Sequence, residues 1–496
     1  MPFIQLPVLI ALLCLSTLLP AQATHSSKST DTAAKIDAYV RAHHTEKEFS
    51  GSVLVAEEGE VVYRGAFGLA NADWKIANQI DTKFRLASIT KQFTAMLVLL
   101  LVDEGKLALD APITRYLPDY PAESGDKVTI HHLLRHSSGI PSYTRRPGFM
   151  QEDTLHSLPV AEFVAKYCSD PLEFEPGTEF HYSNSGYYLL GAIVEAVTGR
   201  TYRAELRARI FDPLAMHESG VDDQDAVLPH RATGYDSLLG SQRLARWIDM
   251  SNPYAAGALY STVGDLWKWD QALRARRLLS PALYEKMYTP GKGDYGYGWG
   301  IDQSDPAAPV IEHSGGIPGF STIIWRVPAR GRCIIVLCNS SAGAAPQAAR
   351  GIHAILDGES PPHPALRADR ALAQKILDDG IDAGLEQLAT LPTSVRERRI
   401  EPDLNFLGYQ LVEHGRIDDA IRLLEFNTRA YPQVANTWDS LGEAHFVAGN
   451  WQLARTNYRK ALELDPQSAT APPMLEKIEE RLTPKKPATS PSPVKL

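Results

Sequence analysis

A chain of 496 residues with 44 % hydrophobic and 22 % charged side chains has ordinary globular composition and length for two or three domains, which excludes disorder throughout. A formal charge of -9 with no dense Lys/Arg block argues against nucleic acid or an anionic membrane as the main partner.

Residues 1–23 hold an apolar run from Leu6 to Leu19, then Pro20 and the small-x-small pattern Ala21-Gln22-Ala23, and are expected to be a secretory signal. The amino end carries no Lys or Arg, so a retained anchor competes with that reading, although the run is short for a membrane span. Cys14 lies inside the run without the small residues that precede a lipidated cysteine. A first helix is expected from Thr30 or Asp31 through Ala42, with Ile36, Tyr39 and Val40 on its inner face. Two strands follow, over 51–56 and 60–64, joined by a turn at Glu58-Gly59.

From Ser88 to about Pro290 the pattern is mainly helical, and strand signals return over 298–302, 310–313, 321–327 and 332–339. Strands at both ends with helices between predict one sheet whose halves meet in space, with a helical subdomain inserted and the site at their seam. Cys333 and Cys338 are five apart in one strand, so they face opposite sides of the sheet and cannot easily pair; with Cys168 they read as structural thiols. There is no Cys-x-x-Cys and no His-Glu-x-x-His.

Residues 360–364 are a Pro-rich break. Beyond it a 34-residue period appears: Leu407-Gly408 recurs as Leu441-Gly442, Ala420 as Ala454 and Pro432 as Pro466. With Trp438, Tyr458 and Ala461, these positions resemble the tetratricopeptide repeat, a helix-turn-helix unit of that period, which implies either an arm for a protein or peptide partner or a structural cover over the cleft. Residues 365–391 are expected to form a degenerate preceding helix pair, and the Pro/Ser/Lys-rich end, 484–496, to be disordered.

Three stretches carry candidate chemistry. In Ser88-Ile89-Thr90-Lys91, serine and lysine share one face of the first turn of an apolar helix that is expected to end at Gly105. A lysine in an apolar pocket loses its charge more easily and can take a hydroxyl proton, while the helix start favours a developing oxyanion. In Tyr182-Ser183-Asn184, two residues apart on an extended loop, a phenol can relay a proton and an amide can hold a substrate carbonyl. In His313-Ser314-Gly315-Gly316, glycines at a strand end let substrate backbone approach. Taken singly, each has a plain structural alternative: a solvated helix start, a polar turn before a helix, a Gly-rich loop. His132 and His136, four apart with no Glu partner, are read as packing residues rather than metal ligands.

Together, in this order, the three stretches resemble the catalytic elements of the serine β-lactamase and penicillin-binding protein superfamily, in its class C-like branch. Residues 133–141, 256–262 and 297–300 extend the resemblance to roughly residues 30–355. It implies an α+β fold, a β-lactamase-like antiparallel sheet flanked by helices with an inserted helical subdomain, followed by the all-α repeat domain. The expected division is signal 1–23, hydrolase domain 24–358, linker 359–366, repeat domain 367–482 and tail 483–496.

On this resemblance Ser88 is the nucleophile, Lys91 and Tyr182 share the proton transfers, and Asn184, His313, Ser314 and Gly315 bind substrate. The N–H groups of Ser88 and Gly316 form the oxyanion hole, and no cofactor or metal is implied. His313 departs from the lysine of true class C β-lactamases, which favours D-amino-acid peptides, amides or small esters over β-lactams. The expectation is therefore a secreted or periplasmic serine hydrolase. A β-lactamase and an idle hydrolase-like protein working through its repeats are the alternatives.

Overall fold

The computed structural model describes residues 22–46, 49–146, 148–150, 153–223, 225–239, 241–341, 344–361, 368–390, 400–468 and 470–483. Most of the expected signal, the Cys14 position, most of the linker and the tail beyond Thr483 lie outside the described residues.

Six strands form one antiparallel sheet: β1 Gly51–Glu57, β2 Glu60–Phe67, β3 Gly300–Asp302, β4 Val310–Ile317, β5 Phe320–Val327 and β6 Arg332–Cys338, in the order β3-β4-β5-β6-β1-β2. The first and last parts of the chain meet where β1 pairs with β6, Val53 opposite Val336 and Leu54 opposite Ile335. Because successive side chains alternate faces, these neighbours separate into two cores. Val53, Val55, Ile334, Val336 and Cys338 pack on one face with α1 (Gln22–Thr45) and the helix Ala344–Leu356. Leu54, Cys333, Ile335 and Leu337 pack on the other, in the larger core that holds α2 (Thr90–Asp103). The two thiols of β6 therefore sit on opposite faces, as their spacing requires.

Helix α1 carries Ile36 and Val40 buried against the sheet as expected, but starts at Gln22, ahead of the expected cap. The β1–β2 turn bends through positive φ at Glu58 and Gly59, the geometry of a tight hairpin. The segment between β2 and β3 is less purely helical than its sequence pattern suggests. It contributes a three-stranded ribbon of Phe84–Arg85, Leu259–Ser261 and Gly220–Val221, and a hairpin of Tyr235–Leu238 with Ser241–Leu244. These strands are two to four residues long, too short for an alternating pattern to stand out.

Helices at Glu401–Glu413 and Ile417–Ala430 recur 34 residues later at Ala435–Val447 and Trp451–Leu464, preceded by the pair Ala368–Asp379 and Ile381–Thr390 and followed by Ala471–Leu482. Within each repeat a glycine lets its helix approach the next: a Cβ at Gly408 would meet Leu424 at 2.6 Å, and one at Gly442 would meet Tyr458 at 3.1 Å. Among the described residues no helix is long and apolar enough to cross a membrane.

The repeat helices are pinned to the sheet-containing body by a knob. Leu239, at the tip of the 235–244 hairpin, is 1 % exposed and packs into the core formed by Leu372, Ala373, Ile376 and Leu404. Beside it Arg243 forks onto Glu413, with Nη1–Oε1 at 2.6 Å and Nη2–Oε2 at 3.1 Å. Leu239→Ala should cost about 2–4 kcal/mol of docking and speed the proteolytic release of the repeat helices. Arg243→Ala, which breaks an exposed ion pair, should cost under about 1 kcal/mol. Equal protease sensitivity of the two variants would show that the knob does not carry the junction.

Candidate active site

The chain enters the site through a strained turn. Ala87, a residue with a Cβ, is held at φ 51, and residues 87–89 form a 3-10 turn that runs straight into α2. Ser88 sits on this turn and Lys91 one turn on. Helix α2 is buried from Thr90 to Leu99, so a lysine placed there enters the protein interior. Lys91 is 0 % exposed.

Lys91 Nζ lies 3.1 Å from Ser88 Oγ, 2.8 Å from Asn184 Oδ1 and 2.8 Å from the Ala256 carbonyl oxygen. Asn184 Nδ2 donates to Thr144 Oγ1 at 3.1 Å, which turns Oδ1 toward the lysine. Burial holds Lys91 well below the ordinary lysine range. A neutral amine has two N–H groups and one lone pair. In that form the two carbonyl oxygens can accept the two hydrogens, which leaves the lone pair for the Ser88 hydroxyl. The rings of Tyr182 and Tyr187 flank the nitrogen, at 4.8 Å and 5.6 Å from their centroids.

Tyr182 and Asn184 are brought in by the start of a helix, Asn184–Thr198. Ser183 caps it, accepting from Gly186 N, so Asn184 is its first helical residue rather than part of an extended loop. The Ser183 N–H donates to His136 Nδ1 at 3.1 Å, and the His136 ring lies 4.2 Å from that of Tyr182. His136 is thus a packing residue that seats the Tyr182 loop, and His132 closes a capping box with Thr129. Among the described residues no group of His, Cys, Asp and Glu has the arrangement of a metal site. The Tyr182 hydroxyl is buried without a hydrogen-bond partner in bonding geometry among the described residues. The Ser88 hydroxyl is near enough to lower its pKa, against the larger upward push of burial.

Strand β4 supplies the opposite wall. Gly315 packs so closely on the serine turn that a Cβ there would fall 2.1 Å from the Leu86 carbonyl oxygen, and Thr322 Oγ1 donates to that same oxygen at 2.8 Å. Only glycine fits between strand and turn. Ser88, Asn184 and Gly316 line one cleft, open to solvent, with Tyr143, Phe149, Met150, Ile248, Ile317 and Pro318. Ser314 is exposed and His313 is 7 % exposed. His313 Nδ1 donates to the Ser314 carbonyl oxygen at 2.6 Å, and Nε2 meets the Tyr295 hydroxyl at 2.9 Å. Burial, with the nearby Lys91, takes His313 down to about 3.

The fold therefore brings Ser88, Lys91, Tyr182, Asn184 and Gly316 to one place, with His313 and Gly315 in the adjoining wall. Sequence reasoning missed Thr144, Ala256 and Tyr295. Tyr295, two residues before the 297–300 stretch, was within reach of a closer reading; a backbone oxygen such as that of Ala256 leaves no mark in a sequence.

Residues 36–357 match the family model described as Beta-lactamase, and residues 435–468 the one described as Tetratricopeptide repeat. The chain is 33 % identical over 313 residues to Penicillin-binding protein 4* of Bacillus subtilis (strain 168), covering 59 % of this chain and 68 % of that one. It is 31 % identical over 362 residues to Esterase EstB of Burkholderia gladioli, covering 62 % and 91 %. The structure of D-amino acid amidase from Ochrobactrum anthropi SV3, complexed with L-phenylalanine amide, superposes with a TM-score of 0.57 at 26 % identity, over 67 % of this chain and 99 % of that one.

The buried amine has a signature in stability. The unfolded chain binds a proton at Lys91 up to about 10.5, and the folded chain only well below that. The unfolded state thus takes up the proton first, and the penalty on folding grows as pH falls below 10.5. Lys91→Met removes this term. Its stability relative to the parent should rise by up to about 1.4 kcal/mol per unit as pH is lowered from 10 toward 8 in denaturant titrations. A difference that does not move with pH would mean the amine is charged inside the fold.

Proposed function

The chain belongs to the β-lactamase family and is a serine hydrolase with a tetratricopeptide repeat behind its catalytic domain, and from that premise we propose that Ser88 is its nucleophile and that it acts on D-amino-acid amides or peptides or on small esters. The observation that carries this reading is the buried Lys91 nitrogen, 3.1 Å from Ser88 Oγ and 2.8 Å from each of Asn184 Oδ1 and the Ala256 carbonyl oxygen, an arrangement in which the neutral amine can turn its lone pair to the Ser88 hydroxyl.

In acylation Ser88 Oγ attacks the substrate carbonyl carbon, and its proton passes to Lys91 Nζ. The oxyanion is received by the backbone N–H groups of Ser88 and Gly316, donors worth about 3 kcal/mol of barrier each in comparable sites. The bond to the leaving oxygen or nitrogen breaks as that atom is protonated, with the Tyr182 hydroxyl, buried beside Lys91, as the relay. Water then attacks the acyl carbon, gives up its proton along the same path, and frees Ser88. Asn184 and the edge of β4 hold the substrate, with Ser314 and Gly315 at the strand edge and His313 behind it.

The apolar run at 6–19 supports secretion or a periplasmic location. The repeat helices support a protein or peptide partner. A histidine where class C β-lactamases have lysine counts against β-lactam turnover.

A fluorophosphonate probe should label the mature protein at Ser88, located by peptide mass spectrometry. Ser88→Ala should abolish labelling and ester hydrolysis, and Lys91→Ala should slow acylation by about a thousandfold or more. Retained labelling or hydrolysis in Ser88→Ala would overturn the assignment.

A further inference from the structure

A carboxylate loses several kcal/mol of hydration on entering a cleft unless a cation or an array of N–H groups receives it. Among the described residues, none that lines the cleft beside Ser88 is charged. Its walls are largely apolar, with Tyr143, Phe149, Met150, Ile248, Ile317 and Pro318, and its polar side chains besides Ser88 are the neutral Thr144, Thr154, Asn184 and Asn252.

The position best placed to supply a positive charge from β4 is His313, and both its ring nitrogens are engaged inside the protein. A carbonyl oxygen can only accept, so the contact with Ser314 fixes the proton on Nδ1. Nε2 is then the acceptor for the Tyr295 hydroxyl, and the ring is closed between strand and phenol. Even a protonated ring would point its second N–H at Tyr295 rather than into the cleft. The Lys91 nitrogen, the other candidate, is fully buried behind Ser88 with three partners of its own. On the accessible edge of β4 stands the hydroxyl of Ser314, a neutral donor.

We infer, resting on the Ser88 reading above, that this cleft selects acyl donors without a carboxylate near the scissile bond: neutral esters, thioesters and amides, with an aliphatic or aromatic acyl group against the apolar wall. Substrates that end in a free α-carboxylate are discriminated against. The site is thereby set toward amidase or esterase work and away from carboxypeptidase work.

The test uses the full chain and a matched pair of thioesters, an N-acyl-D-alanyl thioester of thioglycolic acid and the same compound as its methyl ester, with thiol release followed by a thiol-reactive dye. The methyl ester should show a kcat/KM at least about tenfold above the free acid. His313→Lys, which places a cation at that wall, should narrow or reverse the ratio. The free acid consumed as fast as its ester, with the fluorophosphonate still labelling Ser88, would overturn the preference while leaving the nucleophile in place. Turnover of neither compound, with no label at Ser88, would overturn the nucleophile and the preference together.

Discussion

A lysine nitrogen with no exposure to solvent, fixed by two carbonyl oxygens, is the constraint around which the catalytic domain is arranged. One oxygen belongs to Asn184 at the start of a helix, the other to Ala256, and neither is near Lys91 in sequence. Each lies 2.8 Å from the nitrogen, close enough for a neutral amine to place both hydrogens on them and turn its lone pair toward Ser88. Burying an amine opposes folding at neutral pH, and the apolar packing of α2 and its surroundings offsets that cost. Such conflict between stability and local chemistry is what the proposed role of Lys91 requires.

The sheet serves the same constraint from the other side. Pairing of β1 with β6 joins the two ends of the domain, and β4, two strands away from β6, brings Gly315 against the Leu86 carbonyl. The missing Cβ at Gly315 and the positive φ at Ala87 are two parts of one fit: the strand edge lies close on a turn that presents the serine to the cleft. The cleft that results is lined by apolar and neutral polar side chains, with none charged among its described lining residues.

The repeat helices are not strung loosely behind this body. A leucine at the hairpin tip enters their core, and Arg243 with Glu413 sits at the edge of that contact. The hairpin itself is tied back to the sheet, since Tyr235 N donates to the Asn339 carbonyl just beyond β6. Position of the repeats relative to the cleft is therefore set through a short chain of packed elements.

Much of this was legible in the chain itself. Periodicity placed β1, β2 and the late strands, and a 34-residue recurrence of Leu-Gly, Ala and Pro gave the repeats, because both patterns report which side chains must be buried. The Ser88-x-x-Lys91, Tyr182-x-Asn184 and His313-x-Gly315 spacings pointed to residues that the fold brings to one place, since local geometry follows from spacing within a turn or strand. Tertiary structure decided what those groups are to each other. It alone supplied the Ala256 carbonyl that holds Lys91, the Tyr295 hydroxyl that closes His313, and the Leu239 knob, because hydrogen bonds and packing between residues far apart in sequence depend on how the chain returns through space rather than on any local pattern.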